Sequence, residues 1–76
     1  MDQNLINTAW KLTAMLERLS VDSIWAHRAS GLRGSLLRAL ACLDTRPPTQ
    51  TELSELNRLV QMGFDILEKA AREIRT

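Results

Sequence analysis

Pro47 and Pro48 are the only prolines in the chain, and they divide it sharply. The residue before a proline is pushed out of helical geometry, so a helix approaching this pair must end by Thr45. Asp44-Thr45-Arg46-Pro47-Pro48 reads as a stiff loop. Thr49-Gln50-Thr51-Glu52 follows at once and has the form of a capping box. Its Thr49 hydroxyl can accept from the Glu52 amide, while the Glu52 carboxylate accepts from the Thr49 amide. A helix is predicted over residues 50–75. Its apolar line is Leu53, Leu56, Val60, Gly63, Leu67, Ala70 and Ile74, in steps of three and four that keep one face apolar. The opposite face holds Arg58, Gln61, Asp65, Glu68, Lys69 and Arg72. Asp65 with Lys69 and Glu68 with Arg72 are acid-before-base pairs one helical turn apart.

Ahead of the prolines, the line Leu5, Ala9, Leu12, Leu16, Leu19 predicts a first helix over residues 3–19, with Asp2 as its cap. Continued further, that spacing lands on Ser23, Ala26 and Ser30. The large apolar residues instead jump to Val21, Ile24 and Trp25. Phase is lost between Ser20 and Asp22, and a tight turn is expected there. A second helix is predicted over residues 22–44, on the line Trp25, Ala29, Leu32, Leu36, Ala39, Leu43. Gly31 and Gly34 lie inside it, and a rival reading breaks the helix at Ser30-Gly31. The apolar line holds its phase across both glycines, which favours an unbroken helix.

Short links between long helices favour antiparallel neighbours. The expected fold is all-α: one domain spanning residues 1–76, a three-helix up-down-up antiparallel bundle. A chain of 76 residues buries only about 60–65% of its unfolded surface. The single Cys42 forms no internal disulfide, and one cysteine with one histidine cannot close a zinc site. Oligomerisation, together with good helix packing, is the remaining support for so thin a core.

The faces point the same way. Leu59, Met62 and Ile66 widen the third stripe, and Ile6, Trp10 and Met15 widen the first. Between Asp22 and Asp44 only His27, Arg28, Arg33 and Arg38 interrupt an apolar or small-residue surface. Ala26, Ser30, Gly34 and Ala41 share one side of that helix with Leu37. Small residues there, and Gly63 in the third helix, fit either a close inter-chain crossing or room for Trp25 or Trp10 within one protomer. Trp25 is expected in the core. Trp10 suits an interface or a half-buried core edge. The expected oligomer or partner surface is Trp10, Ser30, Gly34, Leu37, Ala41, Leu59, Met62 and Ile66, in a homodimer formed through helices 2 and 3.

No catalytic constellation emerges. His27 and Cys42 share one predicted helix, about 22 Å apart along its axis, and Cys42 reads as a small apolar residue. Ser30-Gly31-Leu32-Arg33-Gly34-Ser35 lacks the Gly-Lys-Ser/Thr ending of a phosphate loop. No cofactor or metal is expected. The formal charge of +1 steers little toward nucleic acid. Arg28, Arg33 and Arg38, five residues apart, point in three directions with about 140° between neighbours on a helix and form no stripe. Pairing with Glu17, Glu52 or Glu55 is their simplest role. No stretch reaches the roughly 20 apolar residues of a membrane span, and Met1-Asp2-Gln3-Asn4 does not open a secretory signal. The expectation is a cytoplasmic, non-enzymatic protein-interaction module that self-associates and binds a protein partner of unknown identity. The alternative is a small nucleic-acid-binding or regulatory protein using Arg28, Arg33 and Arg38 of a dimer.

Overall fold

Three helices carry the chain: α1 (Asp2–Glu17), α2 (Ala26–Leu43) and α3 (Gln50–Arg75). The structure, a computed structural model, describes residues 2–19, 23–43 and 46–75. No strand occurs among the described residues. The expectation of an all-helical chain of three helices is met, and each helix packs against both others.

The helix ends follow local chemistry. At α3, the Thr49 amide donates to Glu52 Oε1 at 2.9 Å and the Glu52 amide to Thr49 Oγ1 at 3.2 Å, so the predicted capping box is formed. Arg46 adds a two-pronged contact to the same carboxylate, Nη1 to Oε1 at 2.8 Å and Nη2 to Oε2 at 2.7 Å. Helix α1 ends at Glu17 rather than at residue 19. Its last turn tightens: Arg18 N–H donates to the Met15 carbonyl and Leu19 N–H to the Leu16 carbonyl, both bonds reaching back three residues.

Helix α2 starts at Ala26, not at residue 22. The reason is Ser23. Its hydroxyl accepts from the Trp25 amide at 3.1 Å, and its carbonyl accepts from the Ala26 amide at 3.1 Å. A serine that bonds its neighbours in this way offers the backbone a turn in place of a helix. The first helical bond then runs from the Ala29 amide to the Trp25 carbonyl. Asp22 and Asp44, the expected limits, lie outside the described residues, as does the turn placed at residues 20–22. Between Ala26 and Leu43 the helix is unbroken through Ser30, Gly31 and Gly34, as the apolar phase required.

The core unites Ala9, Leu12 and Leu16 of α1, Ala29, Leu32, Leu36 and Leu40 of α2, and Leu56, Leu59, Val60 and Ile66 of α3. Leu5, Leu19, Trp25, Ala39, Leu43 and Leu67 pack against it from positions on the three apolar lines. Gly63 is buried against α1, where a Cβ would stand 3.0 Å from Leu12 Cγ. The glycine makes room inside one chain, for Leu12 rather than for either tryptophan. Leu59 and Ile66, read as surplus surface, are only 6% and 8% exposed and belong to this core. Trp25, just before α2, and Leu32 of α2 lie across a groove from them.

Candidate functional site

One groove stands out between α2 and α3, with a volume of about 440 Å³. Its floor is apolar: Leu32, Leu59 and Ile66, all buried, with Trp25 partly buried at one end. Its rim is Arg28, Met62, Arg58, Asp65 and Lys69, all exposed, with Ser35 partly so. Helical phase explains the sorting. Leu59, Met62 and Ile66 follow one another in steps of three and four on α3, as Arg28, Leu32 and Ser35 do on α2, with Trp25 one step ahead of that helix.

The charges at the rim are organised around Trp25. The Arg28 guanidinium lies 5.2 Å from the indole centroid and the Lys69 ammonium 5.3 Å from it. Both distances fall within the roughly 6 Å range of cation–π attraction. Lys69 also pairs with Asp65 at 2.9 Å, and Arg58 donates from Nε to Glu55 at 3.1 Å. Arg58 Nη1 further donates to the Met62 sulfur at 3.3 Å. The Arg58 contact holds the Glu55 carboxyl below its ordinary range. Glu52 is held low as well, first by the Thr49 amide and then by Arg46.

The residues expected at an interface fall into two groups. Leu59, Met62 and Ile66 share the α2–α3 groove, though only Met62, 43% exposed, reaches far into solvent. Ser30 lies elsewhere, in a smaller crevice between α1 and α2 that it shares with Leu16, Glu17, Ala26 and Arg33. Gly34, Leu37 and Ala41 continue the same side of α2 in steps of three and four. Ser30 and Ala41 are exposed, and Gly34 and Leu37 are partly buried. Trp10, half exposed, sits on the side of α1 that carries Thr13 and Glu17. The small-residue flank of α2 and the α2–α3 groove are therefore separate surfaces.

Arg28, Arg33 and Arg38 are separated in space as their spacing implied. Arg28 lines the groove, Arg33 lines the crevice toward α1, and Arg38 donates to Ser35 Oγ at 3.2 Å. Among the described residues, no ion pair joins any of the three to Glu17, Glu52 or Glu55. Glu52 is taken by Arg46 and Glu55 by Arg58. The simple pairing expected for the α2 arginines is thus not found there.

Three features escaped the sequence reading. Thr13 is buried, and its hydroxyl donates to the Trp10 carbonyl at 2.6 Å, an internal bond that lets a polar residue enter the core. Glu73 Oε1 accepts from the Ile24 amide at 3.3 Å, tying the end of α3 to the turn before α2. Cys42, read as a small apolar residue, is exposed. No group of metal-ligating side chains occurs among the described residues, and none of their helices is long and apolar enough to cross a membrane. No protein-family model, no curated protein and no solved structure matches the chain.

Proposed function

We propose that this chain is a non-enzymatic protein-interaction module that self-associates and works by binding a protein partner. The observation that carries the reading is the α2–α3 groove: an apolar floor of Leu32, Leu59 and Ile66, a tryptophan at one end and an exposed methionine on its edge. Tryptophan is enriched among residues that dominate binding energy, and methionine adapts to varied apolar partners. The arrangement of the helices in the proposal is the up-down-up antiparallel bundle. A crevice shared by Leu43 and Glu52 at one end, and the bond of the Ile24 amide to Glu73 at the other, support opposed directions for α2 and α3. In place of the homodimer expected through helices 2 and 3, whose Leu59 and Ile66 are buried, self-association is assigned to the α2 flank of Ser30, Gly34, Leu37 and Ala41, with Trp10 of α1. It leaves the groove open to a different molecule.

A photo-crosslinking amino acid placed at Met62 tests the groove, with exposed Gln61 as the control position. A protein adduct from Met62 and not from Gln61 supports the reading. Equal labelling from both positions, or from neither, overturns it.

The second reading is nucleic-acid binding, favoured by the absence of carboxylate partners for Arg28, Arg33 and Arg38 among the described residues. Their separation around α2 weakens it, because phosphate tracking needs a continuous basic surface. A gel shift with duplex DNA that fades with salt and with neutralisation of the three arginines would move the assignment to this class.

A further inference from the structure

We infer that the α2–α3 groove receives an acidic amphipathic helix from a different protein. The inference rests on the reading of the chain as a partner-binding module and names the chemistry of the partner. Charge complementarity carries it. Three cations, Arg28, Arg58 and Lys69, border the groove against one carboxylate, Asp65. Arg28 has no carboxylate partner among the described residues and is held near the groove by the Trp25 ring. Lys69 and Arg58 pair with carboxylates on their own helix, in pairs whose side chains are about half exposed, and also meet the Trp25 ring and the Met62 sulfur respectively. Exposed pairs of this kind contribute little, so both cations can be shared with an incoming carboxylate at small cost.

The shape selects a helix. No strand edge exists among the described residues for an extended peptide to join. The floor is a short apolar strip between two helices, and a helix fills such a strip with residues at i, i+3, i+4 and i+7. The rim cations then meet acidic residues flanking that stripe.

The chain's own helices do not supply this ligand. Between Ala26 and Leu43, α2 has arginines and no acid. The exposed acids of α3, Glu55, Asp65 and Glu68, are each paired with a base of the same helix. Among the described side chains, those of α1 bear Lys11 and Glu17. A second copy therefore brings no acidic apolar face to the groove. Nucleic acid is disfavoured by the apolar floor of Leu32, Leu59 and Ile66, which offers phosphates no partner.

Trp25 reports on the groove directly. In a full-length Trp10→Phe variant it is the only indole. The probe is a synthetic amphipathic helical peptide with leucines at i, i+3, i+4 and i+7 flanked by glutamates. The comparator carries lysines in their place. The expected result is a saturable shift of Trp25 emission with the glutamate peptide. Binding of the lysine peptide should be about tenfold weaker, the sum of a few exposed charge pairs. Arg28→Glu should abolish or reverse that ranking, with circular dichroism confirming unchanged helicity. Lys69→Glu gives a second, independent reversal. Equal affinity for both peptides would overturn the acidic partner while leaving a protein-binding groove. Binding of neither would overturn both. A charge preference that survives both substitutions would place the acid-reading surface elsewhere and overturn the assignment. So would an Arg28-dependent shift produced by duplex DNA and not by the peptide.

Discussion

Leu12 of α1 lies against the backbone of α3 at Gly63, so close that no side chain fits between them. A Cβ on residue 63 would stand 3.0 Å from Leu12 Cγ and nearer still to one of its methyls. Leu12 is fully buried, with Ala9 and Leu16 beside it on the same face. The contact fixes how closely α1 and α3 approach at the middle of the core. It assigns the glycine in the apolar line of α3 to packing within the chain.

Gly63→Ala therefore sets two effects against each other. Alanine favours the helix by about 1 kcal/mol, while overpacking a filled core costs about 1–3 kcal/mol. Packing should win, because Leu12 Cγ as well as its methyls would have to move. The expected result is a lower urea midpoint with an unchanged slope. A rise in midpoint would mean that α1 and α3 can separate at this point without loss.

Gly31→Ala is the contrasting case. Nothing lies within 4 Å of a Cβ built there, and the residue is exposed inside an unbroken helix. Only the helix term remains, so the variant should be more stable by about 1 kcal/mol. For a domain of this size that corresponds to a thermal midpoint raised by about 4–8 °C. An unchanged or lower midpoint would indicate that residue 31 meets something outside this chain.

The contrast between these glycines marks what the sequence could reveal. The capping box, the proline stop and the apolar lines were legible because each depends on residues within one or two turns. The start of α2 was not, since the serine at 23 competes locally for the amide of Trp25 and delays the helix. Leu40 was missed because the apolar line passed through its neighbour Ala39, and both lie against the core. Leu59 and Ile66 looked like surplus because the cover that α2 gives them is tertiary. The groove was illegible for the same reason: Trp25 and Lys69 are 44 positions apart in sequence (69 − 25) and meet only in the fold. Met62 alone of the expected α3 interface residues kept its exposure.

The loop ahead of α3 should make stability acid-sensitive. The Thr49 amide and Arg46 hold the Glu52 carboxyl below its ordinary range, and Arg58 does the same for Glu55. A carboxyl whose folded-state value is lowered stabilises the fold above its unfolded-state value, near about 4.3 for glutamate. That contribution is lost as pH falls through the lower folded-state value. Denaturation midpoints should be flat above about pH 5 and decline below it. Glu52→Gln keeps a side chain able to complete the capping box but removes the charge. It should start lower at neutral pH and lose less on acidification. Thr49→Ala, which removes the hydroxyl acceptor, should cost about 1 kcal/mol at any pH in this range. A Glu52→Gln profile parallel to that of the parent would show that the carboxylate charge contributes nothing.

Self-association through the small-residue flank of α2 makes a prediction separable from the groove. Ala41 is exposed and Trp10 half exposed, so charging either disturbs little of the chain's own core. At micromolar concentration the parent should sediment at twice the chain mass of 8.6 kDa. Its thermal midpoint should climb with concentration, as mass action requires of a folded dimer. Ala41→Arg or Trp10→Arg should return the mass to that of one chain with helicity retained. Met62→Arg, placed in the α2–α3 groove, should leave the dimer intact. Dissociation by Met62→Arg and not by Ala41→Arg would move the dimer contact into the groove. A single-chain mass for the parent at every concentration would remove self-association from the proposal.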